Sequence, residues 1–398
     1  MSSICIYFQV HQPRRIKRFR IFDIGKEEDY FEDDSDTNLN NKKIIEKVAS
    51  KCYIPTNYLL LNLLNKYPDF KVSFSFSGLV LEQLKEYSPK ALSSFQDLVA
   101  TKKVELLSET YYHSLSFLFS EEEFKSQVVL HKNIIKKFFD VTPKVFRNTE
   151  LIYNNDLAKL VEKMGYKGIL AEGADNILGW KSPNFIYKPK DADIALLLKN
   201  YRLSDDIAFR FSEKSWKEYP LTAEKFASWI NAVNGNGEVI NLFMDYETFG
   251  EHQWEDTGIF KFLEKLPSEI LKHPDNDFVT PSEAIKRYKP KDELDIQEFI
   301  SWADVERDLS AWLSNSMQKD AIDKLYSLRE KVMNSKNESL IRDWRLLTAS
   351  DHFYYMCTKW FTDGDVHKYF NPYDTPYDAF RYFMNVFTDL KLRVNKKQ

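Results

Sequence analysis

Seven short runs of β-branched and aromatic residues, at 4–10, 71–77, 104–108, 144–147, 168–171, 194–199 and 239–244, alternate with longer amphipathic stretches. This alternation is the signature of repeated βα units around a parallel sheet or barrel. Helices are expected over 55–66, with Pro55 in the first turn, over 121–139, and over 155–164, where Gly165 stops the pattern. Seven strands in this length fit a barrel-like sheet better than an open one. From Asp292 onward strand signals give way to helical spacing, so a helical bundle is expected after a linker at 287–291. A chain of 398 residues is long enough for both, since single cores stop growing near about 250–300 residues. The charged stretch at 14–36 directly follows the first strand and reads either as a solvated loop or as a lid.

Charge narrows the partners. Lys plus Arg number 56 and Asp plus Glu 60, and a formal charge of −4 gives no drive toward nucleic acid or an anionic membrane. A neutral substrate fits, and an aromatic content of 15% leaves Trp and Tyr to stack on sugar faces. Cys5, Cys52 and Cys357 are odd in number and lack CxxC spacing, which argues against a disulfide framework or zinc cluster. The opening MSSICIYFQVHQP has no signal-peptide pattern and no stretch approaches membrane-spanning length, so a cytoplasmic location is expected.

Three of the strand runs end in polar clusters, at 11–13, 147–150 and 245–252. In a βα barrel such residues gather at one face. Glu150 stands where apolar Val145 and Phe146 give way to polar residues, with Arg147 nearby to keep it ionised, as a nucleophile requires. Asp245 follows Leu242, Phe243 and Met244, which would desolvate a carboxyl and raise its pKa, as an acid catalyst requires. Carboxylates at strand ends also serve as helix N-caps and ion-pair partners. Glu247 and Glu251 compete for the acid role, and Glu105 and Glu109 are further candidates, Glu105 expected to point outward. A separation of about 5–5.5 Å between the two carboxyls would give retention, and about 6.5–9.5 Å inversion.

His11 and His113 each read as a partner for a sugar hydroxyl or as a buried histidine satisfied by backbone. The seven histidines carry no H-x₃-H or HExxH spacing, which leaves only a metal assembled from distant strands, for example by His11, His113 and Asp245. Residues 301–315 read as a helix opened by Ser301, with Asp304 in capping-box relation and Val305, Leu309, Trp312 and Leu313 on one core stripe. Trp302 and Asp304, at its start, either join that core or face the cleft, with the indole as a sugar platform.

Taken in order, FQVHQP at 8–13, VELLSETYYHSL at 104–115, VFRNTELIYNN at 145–155, MDYETFGEHQ at 244–253 and SWADVERDLSAWLSN at 301–315 resemble glycoside hydrolase family 57, in particular its α-amylase-like members. The resemblance implies an incomplete (β/α)₇ barrel followed by a C-terminal helical bundle. In this chain that divides into a catalytic domain over 1–290 and a helical domain over 291–398 that contributes to the cleft. It implies retaining chemistry on α-glucans such as starch, glycogen or maltooligosaccharides; carboxyl chemistry serves both steps, so no metal and no organic cofactor is expected. The family's nucleophile falls on Glu150, its acid/base on Asp245, and its sugar-contacting positions on His11, His113, Trp302 and Asp304. The second segment lacks the Gly-Gln opening of some glucanotransferase and branching members. Competing readings are a 4-α-glucanotransferase, a metal-dependent polysaccharide deacetylase, and a glycan-binding protein on a degenerate barrel.

Overall fold

Along the first strand Ile4, Ile6, Phe8 and Val10 alternate with Cys5, Tyr7 and Gln9, and both sets are buried. A strand with neither face exposed belongs to a parallel sheet covered on both sides. The first set packs under the surrounding helices, while Cys5 and Tyr7 meet Leu107, Val145, Leu170, Leu197 and Phe243 inside the barrel. The computed structural model describes residues 2–35, 38–359 and 366–396.

The strands are β1 (Ser2–Val10), β2 (Val72–Phe76), β3 (Val104–Leu106), β4 (Val145–Arg147), β5 (Gly168–Glu172), β6 (Ile186–Pro189), β7 (Ala195–Lys199), β8 (Val239–Asp245), β9 (Asn276–Phe278) and β10 (Glu293–Leu294). Parallel pairing runs β8–β1–β2–β3 on one side and β4–β5–β7 on the other. The two arcs meet at weak seams: a lone bridge between Ser108 and Phe146, and one register pair between Lys199 and Asn241. The result is an incomplete seven-stranded barrel built from the seven runs legible in the sequence. β6, antiparallel to β7, and β9, beside the start of β1, were not expected. Nor was β10, which pairs with β6 and corrects the expectation that strands end before Asp292.

The helix Glu121–Phe139 has the expected bounds, with the Ser120 hydroxyl accepting from the Glu123 amide and three glutamates in its first turn. Asn154 caps Asn155–Lys163 in the same way, and Gly165, at φ 94°, ends it. Beyond the barrel, Ser316–Ser327, Glu338–Leu346 and Pro376–Lys396 enclose a second core around Trp312, Trp344, Phe353 and Phe383.

The segment after β1 is solvated over residues 20–22 and 25–29 but anchored on either side of them. Ile16, Phe19, Tyr30 and Phe31 are buried in the second core, and Tyr30 donates to Asp389 at 2.6 Å. Arg14 pairs with Glu86 at 2.8 Å. The segment therefore stitches the barrel to the helical region through residue 35, and Asp36 lies outside the described residues. No helix among the described residues is long and apolar enough to cross a membrane.

The helix expected over 301–315 is reduced to Ser310–Leu313. Ser301 donates its hydroxyl to the Asp308 carbonyl, its amide goes to Arg307, and Asp304 and Arg307 adopt φ values of 55° and 52°. Val305, assigned to the core stripe, is 82% exposed. Bonds within the loop, and the Trp302 amide's bond to the Glu150 carbonyl, have taken groups that a helix would have used.

Candidate active site

The C-terminal ends of the strands converge on a cleft of about 1310 Å³, lined among others by His11, His113, Glu150, Asp245, Trp302 and Asp304. All six candidate residues thus share one cavity.

Glu150 follows β4 in a left-handed conformation, φ 58° and ψ 24°, which a non-glycine residue adopts only when its surroundings hold it there. Trp302 supplies part of that hold: its amide donates to the Glu150 carbonyl at 3.2 Å and its indole Nε1 to Oε2 at 2.7 Å. The other carboxylate oxygen, Oε1, lies 3.0 Å from His113 Nε2. His113 Nδ1 in turn lies 3.0 Å from Oε2 of Glu109, which is wholly buried and also accepts from Gln9 at 3.1 Å and Ser75 at 2.9 Å. With a carboxylate against each nitrogen, both must donate, so His113 is an imidazolium. Burial works against its charge, yet the two carboxylates raise its pKa to about 9. Burial likewise pushes Glu109 and Glu150 upward, but the imidazolium outweighs it, holding Glu109 at about 2 and Glu150 below the usual range. Arg147, buried beneath, adds its charge to the same effect. Glu150 is an anion with 22% of its side chain still accessible.

Asp245 ends β8 on another side of the cleft. Its carboxyl makes no hydrogen bond among the described residues. Burial, and next the negative charge of Glu150, raise its pKa to about 6, against the opposing cations Arg147, His113 and Lys199. One carboxyl is fixed and anionic while the other is free and ready to carry a proton, the division of labour that general acid and nucleophile require.

The competing carboxyls are otherwise engaged. Glu247 accepts from Tyr53 and, at 3.4 Å, from Gln12, and burial followed by the charge of Asp245 pushes it to about 8. Glu251 pairs with Lys47 at 2.5 Å. Glu105 accepts from the Ser282 amide at 2.8 Å, outside the cleft. Glu109 supports His113.

His11 stacks on His113 with ring centroids 3.9 Å apart. Its Nε2 faces Asp351 at 2.9 Å and its Nδ1 faces the Ser77 hydroxyl at 2.7 Å. Burial, then the charge of His113, lowers its pKa, so a neutral ring lies against a charged one. With all four nitrogens of the pair engaged, neither histidine offers a lone pair to a metal. Among the described residues no group of three His, Cys, Asp or Glu side chains is arranged to hold an ion.

Trp302 lines the cleft and also packs against the core inside the barrel. Its ring lies 4.9 Å from the Arg147 guanidinium and 5.3 Å from Lys199 Nζ, so cations cover the indole that sequence offered as a sugar platform. Lys199 is fixed by Asp205 at 2.9 Å and Glu172 at 3.6 Å, and Arg307 joins Glu172 at 2.8 Å. Asp304 is turned to His367 at 2.9 Å and Lys359 at 3.4 Å. Asp351, Gln9, Ser75 and Lys199 were missed. Asp351 and its neighbours, SDHFYYM, carried a usable signal: an acidic residue, a histidine and aromatics crowded at a helix start. Gln9 and Ser75 carried none.

The family profile described as Glycosyl hydrolase family 57 matches residues 5–297. The segment at 301–315 lies beyond that match. A protein of Methanocaldococcus jannaschii named "Putative alpha-amylase" is 45% identical over 404 residues, covering 99% of this chain and 85% of its own length. Alpha-amylase 1 of Dictyoglomus thermophilum is 22% identical over 65% of this chain, which spans only 38% of that relative. A GH57-type branching enzyme from Pyrococcus horikoshii superposes with a TM-score of 0.70 at 14% identity, covering 99% of this chain and 94% of its own, and shares the fold. With the family profile spanning nearly three quarters of its length, this chain belongs to glycosyl hydrolase family 57 and is a glycoside hydrolase.

Proposed function

We propose that the protein is a retaining, α-amylase-like enzyme that cleaves α-1,4-glucosidic bonds in α-glucans by double displacement. Glu150 attacks the anomeric carbon while Asp245 protonates the departing oxygen. The resulting glycosyl ester is opened by water, whose proton returns to Asp245. The observation that carries this reading is the opposed charge state of two carboxyls in one cleft, Glu150 held as an anion by His113 and Trp302, and Asp245 raised to about 6. His11 and His113 serve as supports whose nitrogens are already engaged, and Trp302 positions the nucleophile. Asp304 acts on the cleft through the loop it tethers.

The catalytic barrel at 1–290 and the helical domain at 291–398 belong to one working unit in this reading, because Trp302 and Asp351 complete a site whose carboxyls lie in the barrel. The three free, buried cysteines suit a cytoplasmic setting. Transfer to a second glucan, the 4-α-glucanotransferase reaction, is favoured as a second outcome by exposed aromatic rings beyond Asp245. Glu150→Gln and Asp245→Asn are each expected to lower turnover of maltoheptaose by about 10³-fold or more while leaving the unfolding temperature near that of the parent. Proton NMR of the first-formed product should show the α-anomer. A β-anomer, or a Glu150→Gln protein that still turns over, overturns the assignment.

A further inference from the structure

The wall of the cleft beyond Asp245 carries large aromatic rings that no core has absorbed. The loop following β8 returns through Gln253, whose side chain donates to the Ala208 carbonyl at 3.0 Å and sets Phe209 beside it. His252, one residue earlier, contacts Phe370 with ring centroids 5.3 Å apart and Tyr369 at 6.0 Å. Phe209, Tyr369 and Phe370 line the same cavity as Glu150 and Asp245 and are 61%, 62% and 37% exposed. Elsewhere in the cleft the rings are occupied, Trp302 by two cations and Tyr354 by stacking on His367 at 4.4 Å. Among the described residues, this wall is the one that presents bare aromatic surface to a ligand.

Exposed apolar rings grouped in a concave site mark a binding surface. Their partner here is a sugar: a pyranose offers a face of C–H bonds to an aromatic ring and keeps its hydroxyls at the rim in water. Lys47, on the helix Asn41–Val48 that lines the same cavity, is paired with Glu251 and offers no free charge to these rings. Position selects the role. In double displacement the proton donor stands on the side of the bond from which the leaving sugar departs. Asp245 ends β8, and His252, which meets Tyr369 and Phe370, belongs to the loop that continues from it; this continuity is what assigns the wall to the departing side.

We infer that Phe209, Tyr369 and Phe370 form an acceptor subsite for an α-glucan chain. This rests on Glu150 and Asp245 being the reacting pair. A glucan held there places a hydroxyl against the glycosyl ester. Its oxygen forms the new bond to the anomeric carbon, the bond to Glu150 breaks and returns that residue to a carboxylate, and the hydroxyl proton passes to Asp245. The balance between transfer and hydrolysis is then set by how well these rings hold the acceptor against water.

The test uses the full chain and two readouts. In the first, maltoheptaose digests are separated and products longer than the substrate are compared with shorter ones. Tyr369→Ala/Phe370→Ala, and separately Phe209→Ala, are expected to lower the long-to-short ratio about tenfold, the scale of one lost aromatic contact. The conservative pair Tyr369→Phe/Phe370→Tyr should retain the parent ratio. In the second readout, maltoheptaose binding is measured by calorimetry in a Glu150→Gln background, where the alanine variants are expected to bind about tenfold more weakly. Unchanged affinity in those variants overturns the subsite whatever the product ratio shows. A parent enzyme without turnover strikes instead at the carboxyl pair, and the calorimetry still decides whether the rings hold a glucan.

Discussion

His113 sits between Glu109 and Glu150, and its proton decides whether Glu150, the proposed nucleophile, is an anion. Its pKa is raised to about 9, so the stabilisation it gives is fully present below its unfolded value near 6.5 and is lost as pH rises through 9. Glu109, lowered to about 2, contributes above its unfolded value near 4.3 and loses that contribution as pH falls through 2. The triad is therefore strongest between roughly pH 4.3 and 6.5. Asp245 must be protonated to act as the proposed acid, so kcat/KM is expected to decline as pH rises through about 6. His113→Gln removes the cation and leaves Glu109 buried without its partner. We expect unfolding by urea to show a loss of about 3–5 kcal/mol. The acid limb of the kcat/KM profile should move to higher pH as Glu150 becomes harder to ionise. An unmoved limb would show that His113 does not set the charge of Glu150. At this scale the sequence disclosed the right residue types. It did not disclose that His113 faces two carboxylates, because Glu150 is 37 positions away and reaches it only through the barrel.

The stretch from Ser301 to Leu309 shows how an element can be misread. Its apolar spacing is helical, but its backbone and side-chain groups are committed to Glu150, Arg307 and Asp308, and Asp304 is drawn to His367 and Lys359. A pattern of apolar residues reports which side of an element faces a core only if the element forms. The barrel strands, by contrast, were legible because they are mostly short, largely buried on both faces and bounded by a clear change of composition. Asp304→Ala is expected to free this loop, costing about 1–3 kcal/mol in chemical denaturation. The same substitution should lower kcat about tenfold through the loss of Trp302 from Glu150, roughly the 1.4 kcal/mol of one charge-assisted hydrogen bond. Trp302→Phe, which removes only the indole donor, should reproduce the kcat effect without the stability loss.

Across the whole molecule the site is a joint between two cores. The barrel provides both carboxyls, while the helical region and its leading loop provide Trp302 and Asp351, and the segment after β1 ties them together through Tyr30, Asp389 and Arg14. A protein ending at residue 300 would uncover Leu79, Leu115 and Ile152, which are buried in the second core, and would lose the partners of His11 and Glu150. We expect it to bind a hydrophobic dye and to show no turnover of maltoheptaose. Turnover by this fragment would place the complete site within the barrel. By itself the sequence determined the seven strands, the capped helices and the clustering of acids after strands four and eight, because backbone pattern is written by neighbours in the chain. Only the tertiary structure decided which acid is pushed toward carrying a proton, that Trp302 donates to Glu150, and that Asp351 holds His11 from 340 positions away. Charge state and hydrogen-bond partner depend on burial and on the fields of groups gathered from the whole fold, and no local stretch of sequence contains those.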